Sequence, residues 1–118
     1  MARYATDLRQ RARLFAVQAY RLSKHARAQH PALREACDQF FAAASSVGAN
    51  LAESEGLNTR KELAARYAIA LKESREARYW LEVIQAAEPT LANQLAPLLT
   101  ECKEFIAMTT TALKKLRA

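Results

Sequence analysis

Apolar residues recur along most of the chain in alternating steps of four and three, the rhythm that keeps one stripe on one side of a helix. Leu8, Ala12, Phe15, Ala19, Leu22 and Ala26 make the first stripe, which predicts a helix over about residues 5–27. Gln29-His30-Pro31 ends it, because proline disfavours helical geometry in the residue before it and suits a first helical turn itself. Leu33, Cys37, Phe40, Ala44, Val47 and Leu51 then predict a second helix over about residues 32–55, with Gly56 placed to cap its end. Within it, Ala44 and Gly48 leave room for a neighbouring helix to come close. A mid-helix glycine costs about 1 kcal/mol relative to alanine, so Gly48 implies a packing reason.

Thr59-Arg60-Lys61-Glu62 has the form of a capping box, in which the threonine hydroxyl and the glutamate carboxylate each satisfy a free backbone N–H. The third stripe follows it as Leu63, Tyr67, Ala70, Ser74, Ala77, Leu81 and Ile84, and predicts a helix over about residues 59–88. The fourth takes Leu91, Leu95, Leu98, Cys102, Phe105, Thr109, Ala112 and Leu116, widened by Leu99, Ile106 and Leu113, over about residues 90–117. Pro97 interrupts it. Either the helix kinks there, or a short turn at 90–95 precedes a helix starting near Ala96; the second is preferred, since proline inside a helix removes a hydrogen bond and clashes with the preceding turn.

Four amphipathic segments joined by short links bury their stripes by folding back on one another. The expected fold is therefore all-α, an antiparallel up-down-up-down four-helix bundle forming a single domain over the whole chain. A solenoid is the alternative, but no internal sequence repeat supports it. Composition agrees. Among 118 residues 51% are apolar while glycine numbers only 2 and proline 3, too little turn punctuation for many short strands. A chain of this size buries roughly two-thirds of its unfolded surface without disulfides or metals. No apolar run approaches the ~20 residues of a membrane span, and the charged start lacks the apolar core of a secretory segment, so a soluble, cytoplasmic protein is expected.

Charge changes the picture more than composition does. The net charge is +6, and it is unevenly placed: Arg3, Arg9, Arg11, Arg13, Arg21, Lys24, Arg27 and Arg34 stand against Asp7 alone in the first part of the chain, whereas the rest is nearly balanced. On the first helix the face opposite the core carries Arg9, Arg13, Arg21, Lys24 and Arg27, interleaved with Val17 and Tyr20, while Arg11 lies nearer the core boundary. Clustered cations with an adjacent tyrosine suit phosphate contact and base stacking; the same pattern also describes an ordinary solvated face. On the third helix Arg66, Ile69, Glu73, Glu76, Trp80 and Val83 form a second stripe beside the core stripe, with the mixture of aromatic, aliphatic and charged residues found in subunit contacts. The plainer reading is that Trp80 covers the edge of the bundle.

Catalytic and metal chemistry finds little footing. There is no Glu-x-x-His pair of the kind di-iron bundles use, no Gly-rich phosphate loop and no Gly-x-Ser-x-Gly elbow. His25 and His30 sit at the end of the first helix, and Cys37 and Cys102 are far apart, reading as buried free thiols. Glu73 and Glu76 would qualify as an acid–base pair only inside an enclosed pocket. No metal, cofactor or small-molecule substrate is expected, and no enzymatic activity.

Ser46-Val47-Gly48-Ala49-Asn50-Leu51-Ala52-Glu53, followed by Lys61-Glu62-Leu63 and by Ala70-Leu71-Lys72-Glu73-Ser74-Arg75-Glu76-Ala77-Arg78-Tyr79-Trp80-Leu81, resembles the bacterial four-helix bundle family of proteins encoded in large-subunit rRNA intervening sequences. The resemblance covers the second and third helices. It implies a small cytosolic bundle that assembles as a ring-like homopentamer without known catalytic activity, and related bundles are accessory proteins of diversity-generating retroelements. The family's Ser-Val-x-x-Asn-x-x-Glu segment falls on Ser46, Val47, Asn50 and Glu53, and implies that Ser46, Asn50 and Glu53 share a polar face that hydrogen-bonds between helices or subunits. Here Ser54-Glu55-Gly56 follows Glu53, where the family often has an immediate glycine.

Two functional expectations follow. One is a homo-oligomeric bundle that binds RNA or another polyanion through the basic face of the first helix, repeated around the assembly. The other is a protein-interaction scaffold with no nucleic-acid role.

Overall fold

The computed structural model describes residues 2–118, with side chains from Asp7 onward. Four long helices account for it: α1 (Ala2–Gln29), α2 (Arg34–Glu53), α3 (Arg60–Ala87) and α4 (Ala92–Leu116). The 28 residues of α1 span ~42 Å at the rise of an α-helix, which matches the long dimension of a molecule measuring 45 × 21 × 21 Å. Charged contacts give the chain directions. Arg9 near the start of α1 meets Glu55 just past the end of α2, and Arg27 near the end of α1 meets Asp38 near the start of α2. Arg66 early in α3 pairs with Glu53 at the end of α2, and Arg60 at the start of α3 reaches the carbonyl of Lys115 at the end of α4. Consecutive helices are therefore antiparallel.

The stripes read from the sequence form one core. Leu8, Ala12, Phe15, Ala19, Leu22 and Ala26 are buried, as are Cys37, Phe40, Ala44, Val47 and Leu51, Tyr67, Ala70, Ser74, Ala77, Leu81 and Ile84, and Leu91 through Ala112 of the fourth stripe. The outermost positions, Leu33, Leu63 and Leu116, are half-buried, as are Leu99 and Ile106 at the edge of the fourth stripe. At the centre the Phe15 ring contacts Phe40 (centroids 6.3 Å apart, nearly perpendicular) and Phe105 (5.4 Å), joining α1, α2 and α4. Two of the polar core residues bond within their own helix: Ser74 Oγ donates to the Ala70 carbonyl and Thr109 Oγ1 to that of Phe105, so neither hydroxyl is left unpaired.

Two corners share one geometry. Pro31–Leu33 and Pro89–Leu91 are single 3₁₀ turns entered through His30 (φ −133°, ψ 78°) and Glu88 (φ −138°, ψ 83°), and left through Leu33 (φ −88°, ψ 4°) and Leu91 (φ −88°, ψ 0°). The offset that lays Pro31 on Pro89 also lays Cys37 on Leu95, Phe40 on Leu98, Ala44 on Cys102 and Val47 on Phe105. The corners and the helices that follow them, α2 and α4, thus share one register, whereas between α1 and α3 the same offset lays Leu8 on Arg66 and Phe15 on Glu73. The link between α2 and α3 differs: Gly56 takes φ 83°, the left-handed conformation that closes the turn, and Thr59 Oγ1 caps α3 by accepting from the N–H of Glu62 at 3.1 Å.

The preferred start of the last helix near Ala96 is corrected: α4 is continuous from Ala92 with Pro97 inside it. Leu91 and Leu95 are 2% and 0% exposed and share one register with Leu98. Burying those two leucines contributes about 1.5–3 kcal/mol each, which offsets the roughly 3 kcal/mol that an internal proline costs. Pro97 itself is exposed. Pro97→Ala is accordingly expected to raise the unfolding free energy by about 1–2 kcal/mol, after allowing for the looser unfolded chain, as read from denaturant midpoints at constant slope.

Candidate nucleic-acid face and subunit-contact ridge

The cations of α1 are not equivalent. Arg9 Nε lies 3.8 Å from Glu55. Arg27 donates from Nη1 to Asp38 Oδ1 at 2.6 Å and from Nε to the Ser23 carbonyl at 3.2 Å. Arg11 forks onto Glu101 at 2.6 and 3.2 Å, comes within 3.4 Å of Glu104 and lies 5.8 Å from the centre of the Phe105 ring. The bond to Glu101 holds the Arg11 guanidinium above its ordinary pKa. Carboxylates from α2, its following turn and α4 thus neutralise Arg9, Arg11 and Arg27. Arg13, Arg21 and Lys24 remain exposed and without an ion pair among the described residues. Tyr20, 48% exposed, meets Phe41 of α2 edge-on at 5.7 Å, and with Leu14 (55%) and Val17 (40%) it makes an apolar ridge running among these three cations.

On α2, Asn50 Nδ2 donates to the Ser46 carbonyl at 2.9 Å and to its hydroxyl at 3.1 Å. Arg66 of α3 then donates to Asn50 Oδ1 at 3.2 Å and pairs with Glu53 at 2.7 Å. Ser46, Asn50 and Glu53 therefore form a polar clamp across the α2–α3 seam, with Arg66 at its centre. That guanidinium, read from the sequence with the subunit-contact stripe, is engaged inside the chain.

Further along α3 the remaining stripe stays on the surface. Ile69 is 38% exposed, and Glu73, Glu76, Trp80 and Val83 are half-buried. Trp80 packs on the core, meets Tyr79 at 5.2 Å and points Nε1 at Glu76 over 3.5 Å, a long bond. Partial burial, and then the charge of Glu76, raise the Glu73 carboxyl above the usual range. This pair lies on the outer side of α3, whereas grooves run along α1–α2 beside Gly48, along α1–α4 beside Leu14 and Met108, and at the α3–α4 end beside Arg60 and Leu116.

The thiols and histidines take structural places. Cys37 and Cys102 are buried and free, and burial pushes the Cys102 thiol up to about 12, so it stays protonated at neutral pH. His25 is exposed; His30 Nδ1 lies 3.4 Å from Glu88, linking the two similar corners. A hydrogen bond from Thr90 at 2.6 Å, and next the neighbouring His30, hold the Glu88 carboxyl below its usual range. Among the described residues no group of side chains could hold a metal ion and no helix is long and apolar enough to cross a membrane.

One residue and one pairing escaped the sequence reading. Ser23, buried, donates to the Cys37 carbonyl across α1 and α2 at 3.2 Å; its only signal was a polar residue one position after the core stripe. Arg11 was set apart along the chain by its place at the core boundary, and what escaped was its partner, Glu101 of α4.

These features define a small helical bundle with charged and aromatic outer faces and a polar clamp across the α2–α3 seam. The chain belongs to the 23S rRNA-intervening sequence protein family, whose model matches residues 5–111. It is similar in structure to a protein with unknown function from the S23 ribosomal protein family of Bacteroides thetaiotaomicron, with a TM-score of 0.83 and 25% identity over 91% of this chain and 98% of that one. No match was found among curated proteins.

Proposed function

We propose that this protein is a non-enzymatic homo-oligomer that binds RNA through the outward cations of α1. The observation that carries the reading is the sorting of charge on that helix: Arg9, Arg11 and Arg27 have carboxylate partners, while Arg13, Arg21 and Lys24 have none among the described residues and stand on one exposed side. Unneutralised cations are the groups that displace counterions from a phosphate backbone. Repetition in a ring multiplies a modest patch into a strong field. The assembly contact is assigned to Ile69, Glu73, Glu76, Trp80 and Val83, whose exposed aliphatic and half-buried aromatic surface suits a subunit interface, and the family resemblance favours a pentamer.

Reversing Arg13, Arg21 and Lys24 together to Glu is expected to abolish RNA binding with the helical circular dichroism unchanged. Wild-type affinity should fall steeply with salt, by ~10-fold or more between 50 and 200 mM if three phosphates are neutralised. Salt-insensitive binding, or full binding by the triple variant, rejects the α1 site; a monomer mass by light scattering at high concentration rejects the assembly. A protein-interaction scaffold is the second reading. The ridge of Leu14, Val17 and Tyr20 favours it, because apolar surface of that kind serves a protein partner better than a phosphate.

A further inference from the structure

Opposite the α1–α2 seam, the seam between α3 and α4 carries cations whose grouping the chain order conceals. Arg60 and Arg78 lie about five turns apart on one line of α3. Both face α4: Arg60 Nη2 donates to the Lys115 carbonyl at 3.2 Å, and the charge of Arg78 acts on the Cys102 thiol. Arg75 lies a turn before Arg78 and is exposed. On α4, Glu101 and Met108 mark the side turned to α1, where both meet Arg11. Lys103 stands about 200° round from Glu101, hence on the α3 side, and Lys114 returns to the same line about three turns later.

The separation has a physical cause. Arg11 pairs with Glu101 and Glu104 on the α1 side, so α4 presents these carboxylates to one neighbour and Lys103 and Lys114 to the other side, while Lys115 falls back near the Met108 line. Along the seam, Arg75, Arg78, Lys103 and Lys114 have no ion pair among the described residues, and Glu82 is the acid on the same line of α3.

We propose that the α3–α4 seam is a second phosphate-binding face, which takes the phosphodiester backbone of a nucleic acid through Arg75, Arg78, Lys103 and Lys114. The inference extends the RNA-binding reading above and rests on it. A nucleic acid fits better than an acidic protein. Protein contacts of useful affinity centre on exposed aromatic or aliphatic anchors, whereas none of Leu14, Val17, Tyr20, Leu57 and Ile69, the exposed aliphatic and aromatic residues elsewhere, lies on this seam. Tyr79, 56% exposed and one turn from Arg75, sets its ring edge-on to Trp80 at 5.2 Å, on the side of α3 turned from this seam.

The test compares the full-length protein with R75E/K103E/K114E and with the neutral R75Q/K103Q/K114Q, all at exposed positions, using fluorescent oligouridylate and oligothymidylate over a salt series. Expected for the Glu variant is a loss of affinity of about tenfold or more and a salt slope lower by roughly two to three, with a smaller loss for the Gln variant and unchanged circular dichroism. Wild-type affinity and slope in both variants, alongside loss in the α1 variant, overturns the seam and leaves the α1 reading standing. Absence of any binding by the wild-type protein overturns both. Displacement of the oligonucleotide by polyglutamate as readily as by polyuridylate of equal charge assigns the seam to acidic peptides and overturns the proposal.

Discussion

Phe15→Ala is expected to lower the unfolding free energy by about 3–5 kcal/mol, on the order of half the stability of a domain this size. The ring is 1% exposed and touches Phe40 on α2 and Phe105 on α4. Its loss therefore opens a void bounded by three helices, and collapse of any one toward the void pulls it from its other neighbours. The edge-on geometry with Phe40 adds about 0.5–1.5 kcal/mol beyond area burial. Equilibrium urea unfolding followed by circular dichroism measures the change. A loss below ~1.5 kcal/mol would mean that the site relaxes freely and that the three rings do not form a common centre.

Gly48→Val is expected to cost about 1–3 kcal/mol, while Gly48→Ala stays within roughly 1 kcal/mol of wild type. A Cβ at Gly48 would stand 3.3 Å from the Ala12 carbonyl oxygen and 3.9 Å from the Ala12 Cβ, so the α1 and α2 backbones already meet there. Alanine gains helix propensity that offsets a shift of a few tenths of an ångström. Valine adds two methyls on a stiff χ1 that cannot both turn into the open groove, and must push α1 away. Thermal denaturation of the pair tests this; equal melting temperatures for the two variants would show that the approach at Ala12 is not limiting.

The glycine was legible beforehand as a packing device because its cost in a helix demands a compensating contact. Its partner was not, since nothing along the chain says which turn of α1 passes over it. The core was legible in the same way: Leu8 through Ala26 and Cys37 through Leu51 repeat on the helical period, and period alone assigns the inward side. Pro97 shows where local rules stop. Proline argues for a break, yet Leu91 and Leu95 gain more from burial in the α4 register than the missing hydrogen bond removes.

The candidate sites were less readable because charge compensation acts between helices. Arg9 and Arg27 look like the other cations of the α1 basic face, and only their distances to Glu55 and Asp38 separate them from Arg13, Arg21 and Lys24; Arg11 stood apart at the core boundary, but its partner Glu101 was not legible. Arg66 belonged by spacing to an exposed stripe, and contact with Asn50 and Glu53 drew it into the clamp.

Periodicity, capping and turn residues along the chain by themselves determined four amphipathic helices, their inward faces and an all-α bundle, because those properties are set within a few turns of one helix. The tertiary structure alone decided which carboxylate meets which guanidinium, and with it that the unpaired positive charge lies not only on the arginine-rich first helix but also along α3 and α4. Coulomb interactions depend on separation in space, and folding is what brings residues ninety positions apart, such as Arg11 and Glu101, to 2.6 Å.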